Sequence, residues 1–328
     1  MHQRERLGGR SYRYDHTVSA KSVEQPTFAM HGLAVSAPYE FRAPRTLRSP
    51  DVLMTEASAS DEPTGPLVLE RRIGDHLTTA YRQNDGSLLV QTGDYQFAID
   101  RHRSTISVFS PPDKDFAPIL AEGFAIAVLL TELGHPSIHA NGVVLGDRAY
   151  IVAGVSGQGK STTAALMIAA GASALADDLV RVHFDGPTIA VSPGSRGLRL
   201  RPAAHELANL LAAHGHALAH SADDRTIVLD ERHTDTEPVE LAAVVIPSPS
   251  RELNSVEIKR LTATSAVVAL LRAARVTGWK EGPQATLHFD TATQLARRVP
   301  VLQARVPWGP PWRPEIAEAL VAVLQALS

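Results

Sequence analysis

Residues 154–162 read Gly154-Val155-Ser156-Gly157-Gln158-Gly159-Lys160-Ser161-Thr162, and the rest of the chain is best read outward from them. The segment fits G-x-x-x-x-G-K-[ST] without a mismatch. Glycines let the backbone turn tightly and aim successive N–H groups inward, which makes a nest for an anion. A helix beginning at Lys160 brings the positive end of its dipole to the same point. Lys160 is placed to reach β- and γ-phosphates, and the Ser161 hydroxyl to hold Mg²⁺. The expected nucleotide-binding residues are therefore Gly154, Ser156, Gly157, Gln158, Gly159, Lys160, Ser161 and Thr162, with ATP or a close relative and Mg²⁺ as cofactors. Nothing in such a loop reads the base.

Context supports the motif. Tyr150–Ala153 is an apolar strand before it, and Lys160–Ala170 reads as a helix after it. Alternation continues on both sides, with a helix apolar nearly all round at Phe116–Leu133 and a strand at Val143–Leu145. Ala172–Ala176, Val180–His183, Thr188–Val191, Leu241–Ile246, Val256–Leu261 and Val301–Val306 come after as strands. Ala203–Ala213, Ser265–Arg275 and Pro314–Leu327 read as helices. This pattern argues for an α/β domain with a central sheet over 116–328. Ahead of it, Leu67–Ile73, Leu77–Arg82, Ser87–Gln91, Tyr95–Ile99 and Thr105–Phe109 are short runs rich in β-branched and aromatic residues. Asn84-Asp85-Gly86 and Thr92-Gly93-Asp94 sit between them as hairpin turns do. They predict a small antiparallel β module over 31–115, with 50–66 as a loop and 1–30 as a flexible arm.

Asp177-Asp178 ends the apolar segment Ala172–Ala176. A carboxylate at a strand end beside a phosphate loop can hold Mg²⁺, and a second can take a proton from an attacking hydroxyl. Asp also favours caps and turns. His139 opens the strand before the loop, where a lone histidine is more often structural than catalytic. Arg251 comes after the Pro247-Ser-Pro-Ser250 loop, either solvated or placed to stabilise a phosphate in transfer. Arg196, Arg199 and Arg201 alternate with leucines, as a charged strand face or a peptide-binding edge would.

Composition narrows the classes. The 328 residues carry a net charge of −3, so no long-range attraction to nucleic acid or anionic membrane is expected. The absence of cysteine excludes disulfides, thiolate metal sites and cysteine nucleophiles. The start MHQRERLGGR lacks the apolar core of a signal peptide, and Ile119–Leu133 falls short of a bilayer span of ~20 residues. The expectation is a cytoplasmic protein.

The stretches IHANGVVL (138–145) and YIVAGVSGQGKSTTAALMIAAGASALADDLVRV (150–182) together resemble the catalytic segment of HPr kinase/phosphorylase. There a His-containing strand, a P-loop and an Asp pair occur in this order. Val191–Pro202 looks like the HPr-kinase-like proteins of gene clusters for ribosomal peptides, lasso peptides among them, which are thought to phosphorylate a serine of a precursor. The resemblance implies a P-loop domain of HPr kinase type with a central mixed sheet. It makes Asp177 a metal-organising carboxylate, Asp178 the general base, and His139 a residue supporting that base or its proton partner. It also implies an ATP-dependent kinase acting on a Ser or Thr hydroxyl of a peptide or small protein, with homo-oligomers left open. The family's downstream element around Pro-Gly-Arg-Asn is missing, and the β module is unlike the family's N-terminal domain, which sets HPr aside as the substrate. A nucleotide-hydrolysing switch and a small-molecule kinase are the alternatives.

Overall fold

The computed structural model describes residues 25–58, 62–230, 232 and 236–327. Strands Leu67–Ile73, His76–Arg82, Leu88–Thr92, Tyr95–Asp100 and Thr105–Phe109 form an antiparallel meander, each paired with the next. The sheet then continues beyond what the turn signals suggest. Val52–Ala57 pairs parallel with Thr105–Phe109 and with Leu33–Ser36, and Thr27–Met30 closes the edge. The module is thus one eight-stranded mixed sheet, larger than expected and not purely antiparallel. Residues 50–66 are not simply a loop, because Val52 and Met54 alternate inward with period two and are buried. The arm expected over 1–30 gives way to a strand at Thr27, where Phe28 and Met30 enter the core. Its first 24 residues lie outside the described residues.

The apolar segment after the module is helical in three pieces: Ala117–Leu120, a π-helical turn over Ala121–Ala125, and Ile126–Glu132. It is buried against the eight-stranded sheet and shares that sheet's core.

The rest of the chain is built on a nine-stranded mixed sheet. Ser173–Ala176, Ala140–Leu145, Arg148–Ala153, Val239–Pro247, Ala190–Val191, Val180–His183 and Ser137–Ile138 lie in that order. Val301–Arg305 pairs parallel with Val239–Pro247, and Glu257–Arg260 pairs with Val301–Arg305. Arg148–Ala153 is covered on both faces, so its alternate residues enter different cores. Tyr150 and Val152 pack toward the helices Lys160–Ala169, His205–Ala213 and Pro314–Leu327. Ile151 and Ala153 pack toward Ala263–Arg272 and Gly282–Arg298. Among the described residues, no helix is long and apolar enough to cross a membrane.

Candidate functional site

Strand direction gathers the motifs at one edge. Ala140–Leu145 runs antiparallel to Arg148–Ala153, with Ala140 opposite Ala153, so the start of one strand meets the end of the other. Ser173–Ala176 is antiparallel to Ala140–Leu145, with Ala176 opposite Gly142. His139, the loop after Ala153 and the Asp pair after Ala176 are therefore forced together, although tens of residues separate them in sequence.

The loop turns as its glycines require. Gly159 caps the helix at φ +92°, and a Cβ there would stand 2.8 Å from the Trp308 ring. Gln158 braces the loop: its Oε1 accepts from the Val155 N–H (2.9 Å), and its Nε2 donates to the Pro247 carbonyl (2.9 Å). Ser156 accepts from Arg201 Nη2 at 3.1 Å. Lys160 is 8% exposed and its ammonium turns back to the Val155 carbonyl (3.2 Å). Burial lowers its pKa to about 8 despite the nearby Asp178. A buried ammonium with one neutral carbonyl partner suits an incoming anion.

The two aspartates occupy different surroundings. Asp177 is buried; its Oδ1 accepts from Asn141 Nδ2 (2.6 Å) and its Oδ2 from Arg42 Nη1 (2.8 Å). Asp178 takes a left-handed φ of +67°, uncommon outside glycine, and this turns its carboxylate toward the loop side. Its Oδ1 lies 3.0 Å from His139 Nε2, and its Oδ2 accepts from Arg275 Nη2 at 2.7 Å. Burial alone would raise its pKa, but Arg275, His139 and Arg199 hold it well below the usual carboxylate range. Burial lowers the His139 pKa more than Asp178 raises it, so the ring is neutral near pH 7 and its Nε2–H donates to Asp178.

The π-helical turn abuts this pair. The Gly123 carbonyl accepts from Arg275 Nε (3.3 Å), and a Cβ on Gly123 would sit 2.9 Å from Asp178 Oδ2. Next to it, Glu122 binds Arg42 through the backbone N–H and the guanidinium, at 2.9 to 3.1 Å. Arg42 comes from the N-terminal region, so both parts of the molecule contribute to the site. Arg42, Glu122, Asn141 and Arg275 escape a reading by motif. Asn141 alone has a local signal, lying two positions after His139 at the start of a strand. Arg199, whose role the sequence leaves open, is 7% exposed and sits between Asp177 and Asp178, 3.5 Å from each.

His139, Asn141, Lys160, Asp177, Asp178, Arg199 and Arg275 line a cleft of about 530 Å³, and Arg42 and Glu122 stand behind it. Lys160, Arg199, Arg201, Arg225, Arg275 and Arg71 outnumber Asp177, Asp178 and Asp223 on its walls, which gives it a cationic bias suited to phosphates. One wall is apolar, with Ile73, Phe116, Ile119 and Leu120; another carries Trp308 and Trp312. Arg251 is not brought to this cleft. It is exposed and lines a neighbouring pocket with Asn254 and Arg313, across Trp308.

Ser161 and Asp177 both face the cleft, but both Asp177 oxygens already accept hydrogen bonds. Among the described residues no group of three or more His, Asp or Glu is arranged to hold a metal ion. The donor set therefore fits a Mg²⁺ that arrives on the phosphates and keeps most of its waters, with Ser161 and Asp177 beside it.

No family model matches the chain, and no curated protein matches it. Among solved structures, the Hpr(Ser) kinase/phosphatase from Coxiella burnetii is similar to it, at 12% identity over 58% of this chain and 96% of that chain, with a TM-score of 0.30. A likeness that coarse says nothing about substrate or mechanism.

Proposed function

We propose that this chain is an ATP- and Mg²⁺-dependent kinase that phosphorylates a Ser or Thr hydroxyl of a peptide or small protein. One observation carries the reading. An ionised carboxylate, Asp178, fixed by His139 and Arg275, opens on the same cleft as a complete phosphate loop. The loop N–H groups and Lys160 bind and neutralise the phosphates, and Arg201 and Arg275 supply further positive charge. Mg²⁺, when bound, screens the phosphate oxygens against the incoming hydroxyl. Asp178 takes the acceptor's proton as the acceptor oxygen bonds to the γ-phosphorus and the bond to the β–γ bridging oxygen breaks, releasing ADP. His139 orients that carboxylate through its Nε2–H. The apolar wall of Ile73, Phe116, Ile119 and Leu120 receives side chains flanking the acceptor. Arg251, on the far side of Trp308, has no part in this scheme.

The test offers γ-labelled ATP and Mg²⁺ with serine-containing peptides, with free serine, and with no acceptor. Label on peptide is the expected outcome. ADP release independent of acceptor would favour a nucleotide-hydrolysing switch, and label on serine alone a small-molecule kinase. Phosphorylated HPr incubated with excess inorganic phosphate is expected to give no pyrophosphate.

A further inference from the structure

Trp308 and Trp312 are two of the three tryptophans in the chain. Their rings meet edge to face, with centroids 5.1 Å apart and planes at 81°. Both line the phosphate cleft, and Trp308 presses on the backbone of Gly159 at the head of the P-loop helix. The position of Trp308 is fixed by the main chain. Its N–H donates to the Ser250 carbonyl (3.0 Å), and the Ser250 N–H donates to the Val306 carbonyl (3.0 Å). The same 247–250 segment is tied to the loop by the Gln158 side chain at Pro247. The aromatic corner is thus braced to the phosphate site through two strand ends, an arrangement that packing alone does not require. Trp312 Nε1 is buried without a hydrogen-bond partner among the described residues.

We infer that the Trp308–Trp312 corner is the nucleobase site, where the purine of the bound nucleotide stacks while its phosphates lie in the loop. This rests on the nucleotide reading under Proposed function and adds to it what the P-loop motif does not specify. An indole offers a wide flat face to an aromatic base, and stacking of this kind tolerates differences at the base edge. The distance suits the ligand: Trp308 touches the loop itself, so a base attached through a ribose to the α-phosphate falls within its reach. The pocket of about 470 Å³ beyond Trp308, with Arg251 and Asn254, leaves open space on the far side of that ring.

The test measures calorimetric affinities of the full chain for Mg-ATP and for Mg-tripolyphosphate, which has the phosphates and no base. Wild type should bind ATP more tightly than tripolyphosphate. Trp308→Ala and Trp312→Ala should each weaken ATP about tenfold and leave tripolyphosphate unchanged. Trp308→Phe and Trp312→Phe should recover most of the loss. In wild type, ATP should quench tryptophan emission and tripolyphosphate should not, a measurement that needs no variant to fold. Unchanged ATP affinity in both alanine variants, equal weakening of both ligands, or absence of quenching would each overturn the base site. With tripolyphosphate still bound by wild type, any of these leaves the phosphate site standing. If wild type binds neither ligand, both readings fall together.

Discussion

The eight-stranded sheet of the N-terminal region and the nine-stranded sheet that carries Gly154–Thr162 hold their strands in contrasting ways. From Leu67 to Phe109 each strand of the first pairs with its neighbour in sequence through a short turn. The centre of the second is a set of parallel pairs: Arg148–Ala153 with Val239–Pro247, and that strand with Val301–Arg305. Beside them, the antiparallel pairings of Ala140–Leu145 with Arg148–Ala153 and with Ser173–Ala176 bring His139, the loop and the Asp pair to one edge. The Gly154–Thr162 loop and the carboxylates Asp177 and Asp178 follow strands of this second sheet. The N-terminal region adds Arg42, which reaches Asp177, and Arg71 and Ile73 on the cleft wall. The nine-stranded sheet supplies the loop and the carboxylates, and the N-terminal region adds to the cleft around them.

The sharpest break of that division is Lys160→Ala. It removes the cation from the P-loop side and leaves the nest of N–H groups in place, so phosphate transfer should vanish and ATP binding weaken severely with the fold retained. Calorimetry and circular dichroism check the two halves; wild-type affinity and turnover would refute the loop assignment. Next is Asp178→Asn, which keeps shape and removes the proton acceptor. Transfer should fall by roughly 10²–10⁴ while ATP still binds. A wild-type rate would move the base to another residue.

Arg42→Ala tests the other side. It leaves Glu122 and Asp177 buried without their shared cation, and removing one partner of a buried pair costs about 3–5 kcal/mol. Chemical denaturation should show that loss, and adding Glu122→Gln should recover part of it. An unchanged midpoint would mean the two regions do not depend on this contact. The smallest effect is pH. Phosphates prefer the charged form of Lys160, whose pKa is lowered to about 8, so ATP affinity is full below that pH and declines as pH rises through it. The decline approaches about tenfold per unit once the amine is neutral. Titrations from pH 6.5 to 9.5 should show it, and Lys160→Arg should abolish the slope, since a guanidinium stays charged.

Legibility in the sequence splits along the same divide. The Gly154–Thr162 loop, His139 and the Asp pair stand out in the sequence because each sits at a strand end with residue types that chemistry restricts. Most elements of the α/β domain fall within a few residues of their expected places. Helix Gly282–Arg298 is not apparent, because its apolar residues are sparse and it begins at a Gly-Pro that reads as a break. The hairpin of Ala217–Ser221 and Arg225–Leu229 is missed for a similar reason, since only Thr226 and Val228 are buried in it. Arg42 and Arg275 carry no spacing signature; their importance depends on contacts 135 and 97 residues away in sequence. Thr27–Met30 and Val52–Ala57 are hidden by their brevity and their polar flanks.

The π-helical turn at Ala121–Ala125 makes the length of its segment matter as much as its composition. A helix advances about 100° with each residue, and a π turn holds one residue more than the α-helix it interrupts. That surplus sets the phase between Ala117–Leu120, which faces the cleft, and Ile126–Glu132, which is locked into the core. A single-residue deletion here would swing Leu120 and Phe116 away from the cleft and carry Glu122 off Arg42. The segment can exchange one residue type for another more readily than it can change its length, so its residue count itself helps to shape the cleft.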